Sequence, residues 1–423
     1  MPEITEQEFT DEVLAFLEAN AKAKPKEEDK KFVWGEGSDK VALFEEKDRE
    51  QELAELAKAK RWRAKRFDAG LGFITGPKEF GGRELPNSYE RLYGALESRY
   101  EVANTSFFGI GLGMVAPTII AHATPDVKDA YVQKMYRGDL VGCQLFSEPG
   151  AGSDLASLQM RAERDGDEWI LNGQKVWTSG AQYSDIGEVI CRTDPDQPKH
   201  KGLTGFVVDM HAPGVEVRPL RQMTGGASFN EVFFNDVRVP DNHRLGDVNQ
   251  GWTVALTTLM NERASIGAGG AGGGSDLANG KRLAEMMRHF GVIDHPVYRQ
   301  ELMKVYIGYQ VAKYTNQRAM DKIKSGQLPG PEMSIAKISL TENMKATAQL
   351  ITRILGPHIA ADSGQWGTFA WNQFFLGVPG MRVAGGTDEV LRNIVGERVL
   401  GLPKDPGIDS KTPFRDLKVG TQA

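Results

Sequence analysis

Residues 144–154 read Gln144-Leu-Phe-Ser-Glu-Pro-Gly-Ala-Gly-Ser-Asp154. The pattern of hydrophobic residues along the chain changes at this stretch. It combines hydroxyl side chains, a Pro-Gly turn and a run of small residues. Such a loop can bring backbone N–H groups and hydroxyls close to a flat or anionic ligand. By itself, however, a Ser- and Gly-rich stretch is most often only a turn. The segments on either side must therefore decide between these two interpretations.

The chain before this stretch shows the periodicity of α-helices. Phe9, Val13, Phe16 and Leu17 recur at helical spacing. The same spacing returns further along the chain in Tyr89, Leu92, Tyr93 and Leu96. We therefore predict an N-terminal α-helical domain over residues 1–141.

The chain after this stretch changes first to a β pattern and then back to a helical one. Short runs of β-branched and aromatic residues, separated by turn signals, predict a middle β domain over residues 142–248. Asn172-Gly173 and residues 195–202 are expected to be hairpin connections in it. Helix periodicity then predicts a C-terminal α-helical bundle over residues 249–423. This order of domains makes the fold class α+β.

The composition excludes several classes of protein. The 423 residues are 40% hydrophobic and 26% charged, which is typical of a water-soluble protein without a membrane span. A net charge of -6 argues against nucleic acid as a partner. The charged run over residues 45–66 indicates one helix with a solvated, mixed-charge face.

The cysteines, histidines and N-terminus give no sign of a disulfide framework, a metal site or an export signal. Cys143 and Cys191 are expected to be reduced and structural, and the seven histidines lack metal-ligand spacing. Residues 1–20 have neither a basic start nor an apolar run. The expected location is therefore cytoplasmic.

Three motifs occur in order: residues 147–154 (SEPGAGSD), 172–177 (NGQKVW) and 385–387 (GGT). With them the sequence resembles the acyl-CoA dehydrogenase family, whose members carry T/S-E-P-x-A-G-S-D, N-G-x-K-x-W and a G-T segment near the end. The resemblance implies an N-terminal helical domain, a central β-barrel-like domain and a C-terminal four-helix bundle. It also implies FAD as the cofactor and an acyl-CoA as the substrate.

The resemblance implies that the flavin lies against the β domain and that its nucleotide part lies against the last domain, often across a dimer interface. Ser179 would hydrogen-bond near the flavin N5, and Ser153 would also contact the thioester substrate. Trp177 would line the flavin ring, although a Trp here is also typical of a β-domain core. The implied FAD-binding residues are Gln144, Leu145, Phe146, Ser147, Gly152, Ser153, Trp177, Thr178, Ser179, Arg353, Gly356, Thr387 and Glu389.

The sequence does not identify which arginine binds the FAD diphosphate. The family's usual arginine before Phe-Gly appears here as Met287, ahead of Phe290-Gly291. Arg288 and Arg299 lie nearby in the sequence.

The chemistry implied by the resemblance needs a carboxylate base, because the α-proton of a thioester is weakly acidic. Many family members carry this base as the Glu of Y-E-G-T, where this chain has Gly385. A subset carries it as Glu-Arg on the helix after the β domain, which matches Glu262 and Arg263. We predict Glu262 as the base, with Arg263 orienting Glu262 or the substrate. The Gly385 N–H and a ribityl hydroxyl would stabilise the enolate.

Two patterns have simpler explanations. Without the family resemblance, Glu262-Arg263 would be interpreted as an exposed helical ion pair. Residues 267–272 (GAGGAG) match the dinucleotide motif G-x-G-x-x-G, but no strand precedes them. They are expected to be a glycine loop, with Ser275 or Asp276 capping the next helix.

The expected function is FAD-dependent α,β-dehydrogenation of an acyl-CoA to trans-2-enoyl-CoA, within fatty acid metabolism and β-oxidation. Electrons would pass to an electron-transfer flavoprotein, and the chain would form a homodimer or homotetramer. The alternatives are an acyl-CoA oxidase, or a non-catalytic flavin-binding subunit in a heteromer with a homologue. Straight, branched, aromatic and steroid-derived acyl groups all remain open.

Overall fold

The computed structural model describes residues 4–25, 33–43, 48–265, 280–324, 330–331, 334–404 and 411–417, without the side chains of 263–265, 320 and 323–324. Its elements follow in the order helices, sheet, helices. The expected α+β class, with helical N- and C-terminal domains and a central sheet domain, is confirmed. The glycine run 267–272 and the expected caps Ser275 and Asp276 lie outside the described residues.

In the N-terminal part that the structure describes, five α-helices form because each buries one apolar face. Phe9, Val13 and Leu17 of the first helix are fully buried against Tyr89 and Tyr93 of the third. The helices are α1 (Glu6–Asn20), α2 (Arg49–Asp68), α3 (Asn87–Glu97), α4 (Ala116–His122) and α5 (Pro125–Arg137), and the short strands β1 (Lys22–Ala23) and β2 (Tyr100–Glu101) pair antiparallel.

Helix α2 contains residues 49–66 of the charged run, but the expectation of a solvated face is wrong for two of its arginines. Arg63 and Arg66 are buried. Arg63 donates to Tyr136 O at 2.6 Å, and Arg66 donates to Leu71 O at 2.7 Å and lies 3.8 Å from the Tyr93 ring centroid. A guanidinium can be buried when carbonyls satisfy its donors and a ring covers its face. These arginines therefore belong to the packing of the N-terminal domain.

The middle part is one eight-stranded sheet with a core on each face. Strand β3 pairs in parallel with β6, and the remaining strands follow the order β10-β7-β6-β4-β5-β9-β8. One face is covered by α4, α5 and the first helix of the C-terminal part. The strands are β3 (Gly142–Leu145), β4 (Arg161–Asp165), β5 (Glu168–Ser179), β6 (Ile186–Arg192), β7 (Leu203–Asp209), β8 (Val215–Leu220), β9 (Phe229–Pro240) and β10 (Arg244–Leu245).

Asn172-Gly173 is not the hairpin connection that the sequence predicts. Both residues lie inside β5, at a bulge in its pairing with β9. Asn172 exchanges two 3.0 Å hydrogen bonds with Asp236, and a Cβ on Gly173 would lie 2.7 Å from Met160 Cγ. The glycine therefore allows close packing rather than a reversal. The other expected connection, residues 195–202, does join β6 to β7.

The described residues of the C-terminal part form six α-helices around a second large core. Trp371 and Phe374 are almost fully buried in it, and Val41 from the N-terminal part joins them. The helices are α6 (Gly251–Ser265), α7 (Gly280–His289), α8 (Pro296–Lys324), α9 (Ser334–Leu355), α10 (Trp371–Val383) and α11 (Asp388–Arg398). No described helix combines the length and the apolar character that a membrane crossing needs.

The last described segment, residues 411–417, returns to the middle domain. Phe414 N donates to Gln197 O at 2.9 Å in the β6–β7 loop, and the Phe414 ring lies 3.8 Å from the Arg192 guanidinium. Arg192 also donates to Ala156 O at 2.6 Å, beyond the end of the Ser- and Gly-rich loop. The segment thus covers a buried arginine that holds two loops together.

Candidate active site

A buried ion pair joins the loop after β3 to strand β5. Lys175 Nζ lies 2.8 Å from Glu148 Oε1 and 3.0 Å from Phe146 O, and the Lys175 side chain is fully buried. Glu148 also accepts the backbone N–H groups of Gln159 at 2.6 Å and Met160 at 3.0 Å. Buried charges require such partners, so the network fixes the loop on the strand. Two of the three sequence motifs are therefore one structural unit.

The residues of this loop present two different surfaces. The side chains of Leu145 and Phe146 lie in hydrophobic cores, so only their backbone groups can face a ligand. Among the residues of this loop that were predicted to bind FAD, the polar or small ones that reach the surface are Gln144, Ser147, Gly152 and Ser153. Val176 N donates to Ser147 O at 2.9 Å and so joins this loop to the end of β5.

Trp177 has an unusual backbone and an exposed indole. Its φ is 62°, at a register shift between β5 and β9, and its side chain is 58% exposed. The alternative that Trp177 is a core residue is therefore wrong. A non-glycine residue in the left-handed region costs about 1–3 kcal/mol, and such strain is concentrated at ligand sites. The bulge turns the indole outward, where it can cover one side of a planar ring.

The residues after Trp177 add polar groups at the same place. Thr178 Oγ1 is buried and has no hydrogen-bond partner among the described residues. The backbone here is fixed because Asn230 donates to Thr178 O at 3.0 Å. Ser179 is half-buried. An aromatic side chain next to a hydroxyl without a hydrogen-bond partner fits the planar ring and the polar edge of a flavin.

A second ion pair fixes the other end of the loop. Lys199, in the β6–β7 connection, places its Nζ 2.7 Å from Asp154 Oδ1, and Ser157 donates to Asp154 at 2.5 Å. Burial raises the pKa of Asp154, but the hydrogen bonds from Lys199 and Ser157 outweigh it, so the pKa is lowered overall. Asp154 therefore stays ionised, and the neighbouring Ser153 has a fixed position.

The predicted base lies on helix α6, which packs across the sheet. Glu262 is half-buried in the last turns of α6, whereas the Arg263 side chain lies outside the described residues. Thr258, one turn earlier, is fully buried and donates to Glu188 Oε1 at 2.5 Å. Glu188 lies on β6 and was not predicted as a site residue, although a charge within the apolar run of residues 186–191 was a visible signal.

An open cavity of about 610 Å³ lies at the other end of α6. His200 and Trp252 meet in it edge to face, with their ring centroids 4.8 Å apart. Burial lowers the pKa of His200, and the adjacent Lys199 lowers it further. The cavity therefore combines aromatic, amide and cationic groups. The lining residues are Gln197, His200, Lys201, Asn249, Gln250, Trp252 and Thr253.

The loop before α11 is fixed by a buried carboxylate. Gly385 and Gly386 have φ values of 65° and 86°, a conformation that glycine adopts without strain. Asp388 is fully buried and accepts from Arg382 at 2.7 Å and from Lys337 at 3.1 Å. Lys337 also donates to Gly386 O at 2.8 Å. The position of the Gly385 peptide is thus set by buried charges.

The four C-terminal positions predicted to bind FAD do not meet within one chain. Thr387 caps α11, and Glu389 lies in its first turn. Asp388, between them, accepts a 2.8 Å hydrogen bond from Thr341 near the start of α9. Arg353 lies twelve residues beyond Thr341 on α9, which is about 18 Å along the helix axis. Arg353 is exposed and pairs with Glu301, and Gly356 follows the end of α9.

The chain matches three family models that cover most of its length. They are described as acyl-CoA dehydrogenase N-terminal domain (residues 38–139), middle domain (residues 143–237) and C-terminal domain (residues 249–400).

Two curated relatives from Mycobacterium tuberculosis are similar over long stretches. The acyl-CoA dehydrogenase FadE34 is 40% identical over 290 residues, which are 68% of this chain and 39% of that protein. The chain thus spans well under half of that relative. The acyl-CoA dehydrogenase IpdE1 is 33% identical over 368 residues, which are 84% of this chain and 91% of that protein.

Two solved structures share the fold over nearly the whole chain. The first is described as the Tcur3481-Tcur3483 steroid ACAD, with a TM-score of 0.69, 26% identity, and coverage of 94% of this chain and 97% of that one. The second is the ChsE4-ChsE5 complex from Mycobacterium tuberculosis, with a TM-score of 0.67, 26% identity, and coverage of 96% and 100%.

Proposed function

Because this chain belongs to the acyl-CoA dehydrogenase family, we propose that it uses FAD to remove two hydrogens from the α and β carbons of an acyl-CoA. The product is a trans-2-enoyl-CoA. The observation that carries the proposal is the exposed indole of Trp177, turned outward beside the loop that the Glu148–Lys175 pair fixes.

The residues near Trp177 suit FAD. The indole would cover one side of the flavin ring, and Ser179 would hydrogen-bond near its N5. The unpaired Thr178 Oγ1 supports a polar ligand at this place. Bound FAD would supply the acceptor for the hydride that leaves the β-carbon. The protein's own task is then to hold the thioester and to take the α-proton.

Glu262 is the proposed base. One carboxylate in the site takes up the α-proton as the Cα–H bond breaks and the α,β double bond forms. The Gly385 N–H, with its peptide fixed through Asp388, would donate to the thioester carbonyl and stabilise the developing enolate. Ser153 and Arg263 would contact the substrate. A second carboxylate at position 385 would compete for the same proton, so its absence suits a base on α6.

The cavity at the start of α6 is our proposed place for the nucleotide of CoA. Its aromatic pair suits an adenine, and Lys201 suits a phosphate. Trp252 and Glu262 are ten residues apart, which is about 15 Å along the helix. A pantetheine arm can span such a distance. The similarity to a structure described as a steroid ACAD puts a steroid-derived thioester first among the acyl groups to test.

We also propose that a second chain of the same family covers helix α8. Met303, Ile307, Val311 and Tyr314 form an exposed apolar stripe along one side of this helix. Such a stripe is typical of an interface. Two of the similar structures are pairs of proteins, Tcur3481-Tcur3483 and ChsE4-ChsE5, so a homologous partner and a second copy are both candidates. A partner would also bring the separated FAD positions near Arg353 and Thr387 to one cofactor.

The test is anaerobic bleaching of the flavin absorbance by a panel of acyl-CoA thioesters with straight, branched, aromatic and steroid-derived acyl groups. Wild-type protein should bleach with at least one of them. Glu262→Gln should bind flavin but not bleach. Glu163→Gln, an exposed glutamate on β4, is the matched control and should behave as wild type. Normal bleaching by Glu262→Gln would show that the base lies elsewhere.

The acceptor and the subunit role need separate measurements. We propose an electron-transfer flavoprotein as the acceptor, so bleached enzyme should reoxidise with that protein and make little peroxide in air. Rapid peroxide formation would identify an oxidase instead. Protein that takes up no flavin alone, but does so with a homologous chain, would indicate the subunit of a heteromer. Native mass spectrometry would give its composition.

A further inference from the structure

A buried hydrogen-bond chain connects the sheet to two helices. Glu188 on β6 is fully buried, and its Oε1 accepts from Thr258 on α6 at 2.5 Å. Thr258 Oγ1 lies 2.9 Å from Thr118 Oγ1 on α4. Thr118 Oγ1 also lies 2.8 Å from Met114 O, in a π-helical turn that leads into α4. Each hydroxyl has one hydrogen, so Thr258 donates to Glu188, and Thr118 donates either to Thr258 Oγ1 or to Met114 O. Side chains from the middle, C-terminal and N-terminal domains thus meet in one chain of hydrogen bonds.

The surroundings of this chain are apolar. Ile186 and Ile190 flank Glu188 on the same face of β6, and Val254 and Ala255 face them from α6. Apolar contacts of this kind are non-directional and allow a helix to slide or rotate by small amounts. A buried hydrogen bond is directional and costly to leave unmade. The Glu188–Thr258 bond is therefore suited to fix the position of α6 on the sheet.

The buried position of Glu188 favours its neutral form. Burial raises its pKa to about 8, and the hydrogen bond from Thr258 offsets only part of this effect. Its Oε2 has no hydrogen-bond partner among the described residues. The neighbouring positions on β3 and β7 are Gln144 and Val207, neither of which is charged.

The titratable groups on the two packed helices lie near the hydroxyls rather than at Glu188 itself. On α6 the nearest is Glu262, one turn after Thr258. On α4 the nearest is His122, one turn after Thr118. The Nε2 atom of His122 lies 2.8 Å from Thr257 Oγ1.

We propose that Glu188 is a positioning residue for the base Glu262 and acts through Thr258. Residues 258 and 262 are four apart, so they lie on the same face of α6, one turn from each other. Fixing Thr258 on the sheet fixes the rotation and height of the turn that carries Glu262. The carboxylate is then held where it meets the α-carbon of the thioester. This role for Glu262 rests on the proposed function.

The experiment compares four variants. Glu188→Met and Thr258→Val keep the side-chain volume but remove the hydrogen bond. Glu188→Gln keeps a neutral group that can still accept from Thr258. Thr257→Val is the matched control, because it removes an adjacent hydroxyl that contacts His122 rather than Glu188. The probe is the acyl-CoA that bleaches wild-type flavin fastest, and amide hydrogen exchange over residues 251–265 is measured in the same proteins.

We expect Glu188→Met and Thr258→Val to slow flavin reduction about 100-fold, with little change in acyl-CoA Kd, because a displacement near 1 Å has about this effect on a reaction. Amide exchange in the turn that carries Glu262 should rise about 10-fold. Glu188→Gln and Thr257→Val should stay near wild type at pH 7. The wild-type rate should fall as the pH rises through about 8, because Glu188 ionises, whereas the rate of Glu188→Gln should not.

Each outcome decides the proposal. Unchanged exchange and reduction in Thr258→Val, or equal losses in Thr257→Val and Thr258→Val, would overturn it. Identical pH profiles for wild type and Glu188→Gln would do the same. If Glu188→Met does not fold, Thr258→Val still answers the question. If no acyl-CoA bleaches the wild type, the proposed function has failed, and the exchange data alone then decide whether Glu188 positions the turn of Glu262.

Discussion

Replacing Lys175 with methionine should unfold the loop of residues 146–154 and destabilise the whole middle domain. Methionine has a similar length and fills the same space, so the loss is the charge and its hydrogen bonds. Glu148 would be left as a buried carboxylate with only the backbone N–H groups of Gln159 and Met160. The backbone carbonyl of Phe146 would also lose its donor.

The size of the effect follows from the distance and the burial. At 2.8 Å, with an effective dielectric constant of about 20, the attraction between Lys175 and Glu148 is about 6 kcal/mol. Desolvation of both charges offsets part of it. Removing one partner of a buried pair typically costs about 3–5 kcal/mol, because the other charge stays buried. The folded-to-unfolded ratio should therefore fall by more than about 100-fold.

The assay is urea unfolding followed by tryptophan fluorescence, together with the flavin absorbance of the purified protein. Lys175→Met should show a lower free energy of unfolding and should lose most of its flavin. Arg161→Met is the matched control, since Arg161 lies in the same domain but forms an exposed pair with Glu163. It should leave the urea midpoint and the flavin content unchanged.

The double variant Glu148→Gln/Lys175→Met separates charge from packing. It removes the stranded carboxylate but keeps an amide oxygen for Gln159 or Met160. At least about 2 kcal/mol of the loss should therefore return. A double variant no more stable than Lys175→Met, or a single variant as stable as wild type with full flavin, would refute this interpretation of the pair.

Three further changes test other parts of the structure. Without flavin, the Trp177→Gly variant should be more stable than Trp177→Ala by about 1 kcal/mol in urea unfolding, because glycine relieves the strain of the left-handed backbone at this position. Both variants should bind flavin more weakly than wild type in a flavin titration. Asp388→Asn should cost about 3 kcal/mol by leaving Lys337 buried and unpaired. Burial raises the pKa of Asp388, but its hydrogen bonds outweigh burial and lower the pKa overall, so Asp388 stabilises the fold above about pH 4 and loses this effect as the pH falls further. Equal acid-unfolding curves for wild type and Asp388→Asn would contradict this. Burial raises the pKa of Cys143 and Cys191 to about 12, so neither thiol should react with a thiol reagent at pH 8 until urea is added.

The sequence was sufficient for the order of domains because each of them buries a periodic face. The helical spacing of Phe9, Val13 and Leu17 and the short apolar runs of the sheet report burial directly. Asn172-Gly173 failed as a turn because its role depends on Met160 and Asp236, which are distant in sequence or on another strand. Local turn preferences contain no information about such contacts.

The candidate site was predictable where a motif repeats a local geometry and unpredictable where charge is buried. The loop of residues 147–154 and the end of β5 were found as motifs, but the sequence did not show that Glu148 and Lys175 form an ion pair. Arg63 was expected on a solvated face and Glu188 was not predicted as a site residue, because burial of a charge depends on partners from other elements. Such partners become visible only in three dimensions.

The contact between Arg192 and Phe414 has a consequence for the way the protein is made. The middle domain leaves the ribosome long before the segment that covers it. At about 5–20 residues per second, the roughly 170 residues from Leu245, the end of the last described strand, to Phe414 take about 8–34 s to synthesise. During that time the Arg192 guanidinium lacks its aromatic cover, and the β6–β7 loop lacks the hydrogen bond from Phe414 N to Gln197 O. Nascent chains should therefore be most vulnerable to proteases and most dependent on chaperones at this loop.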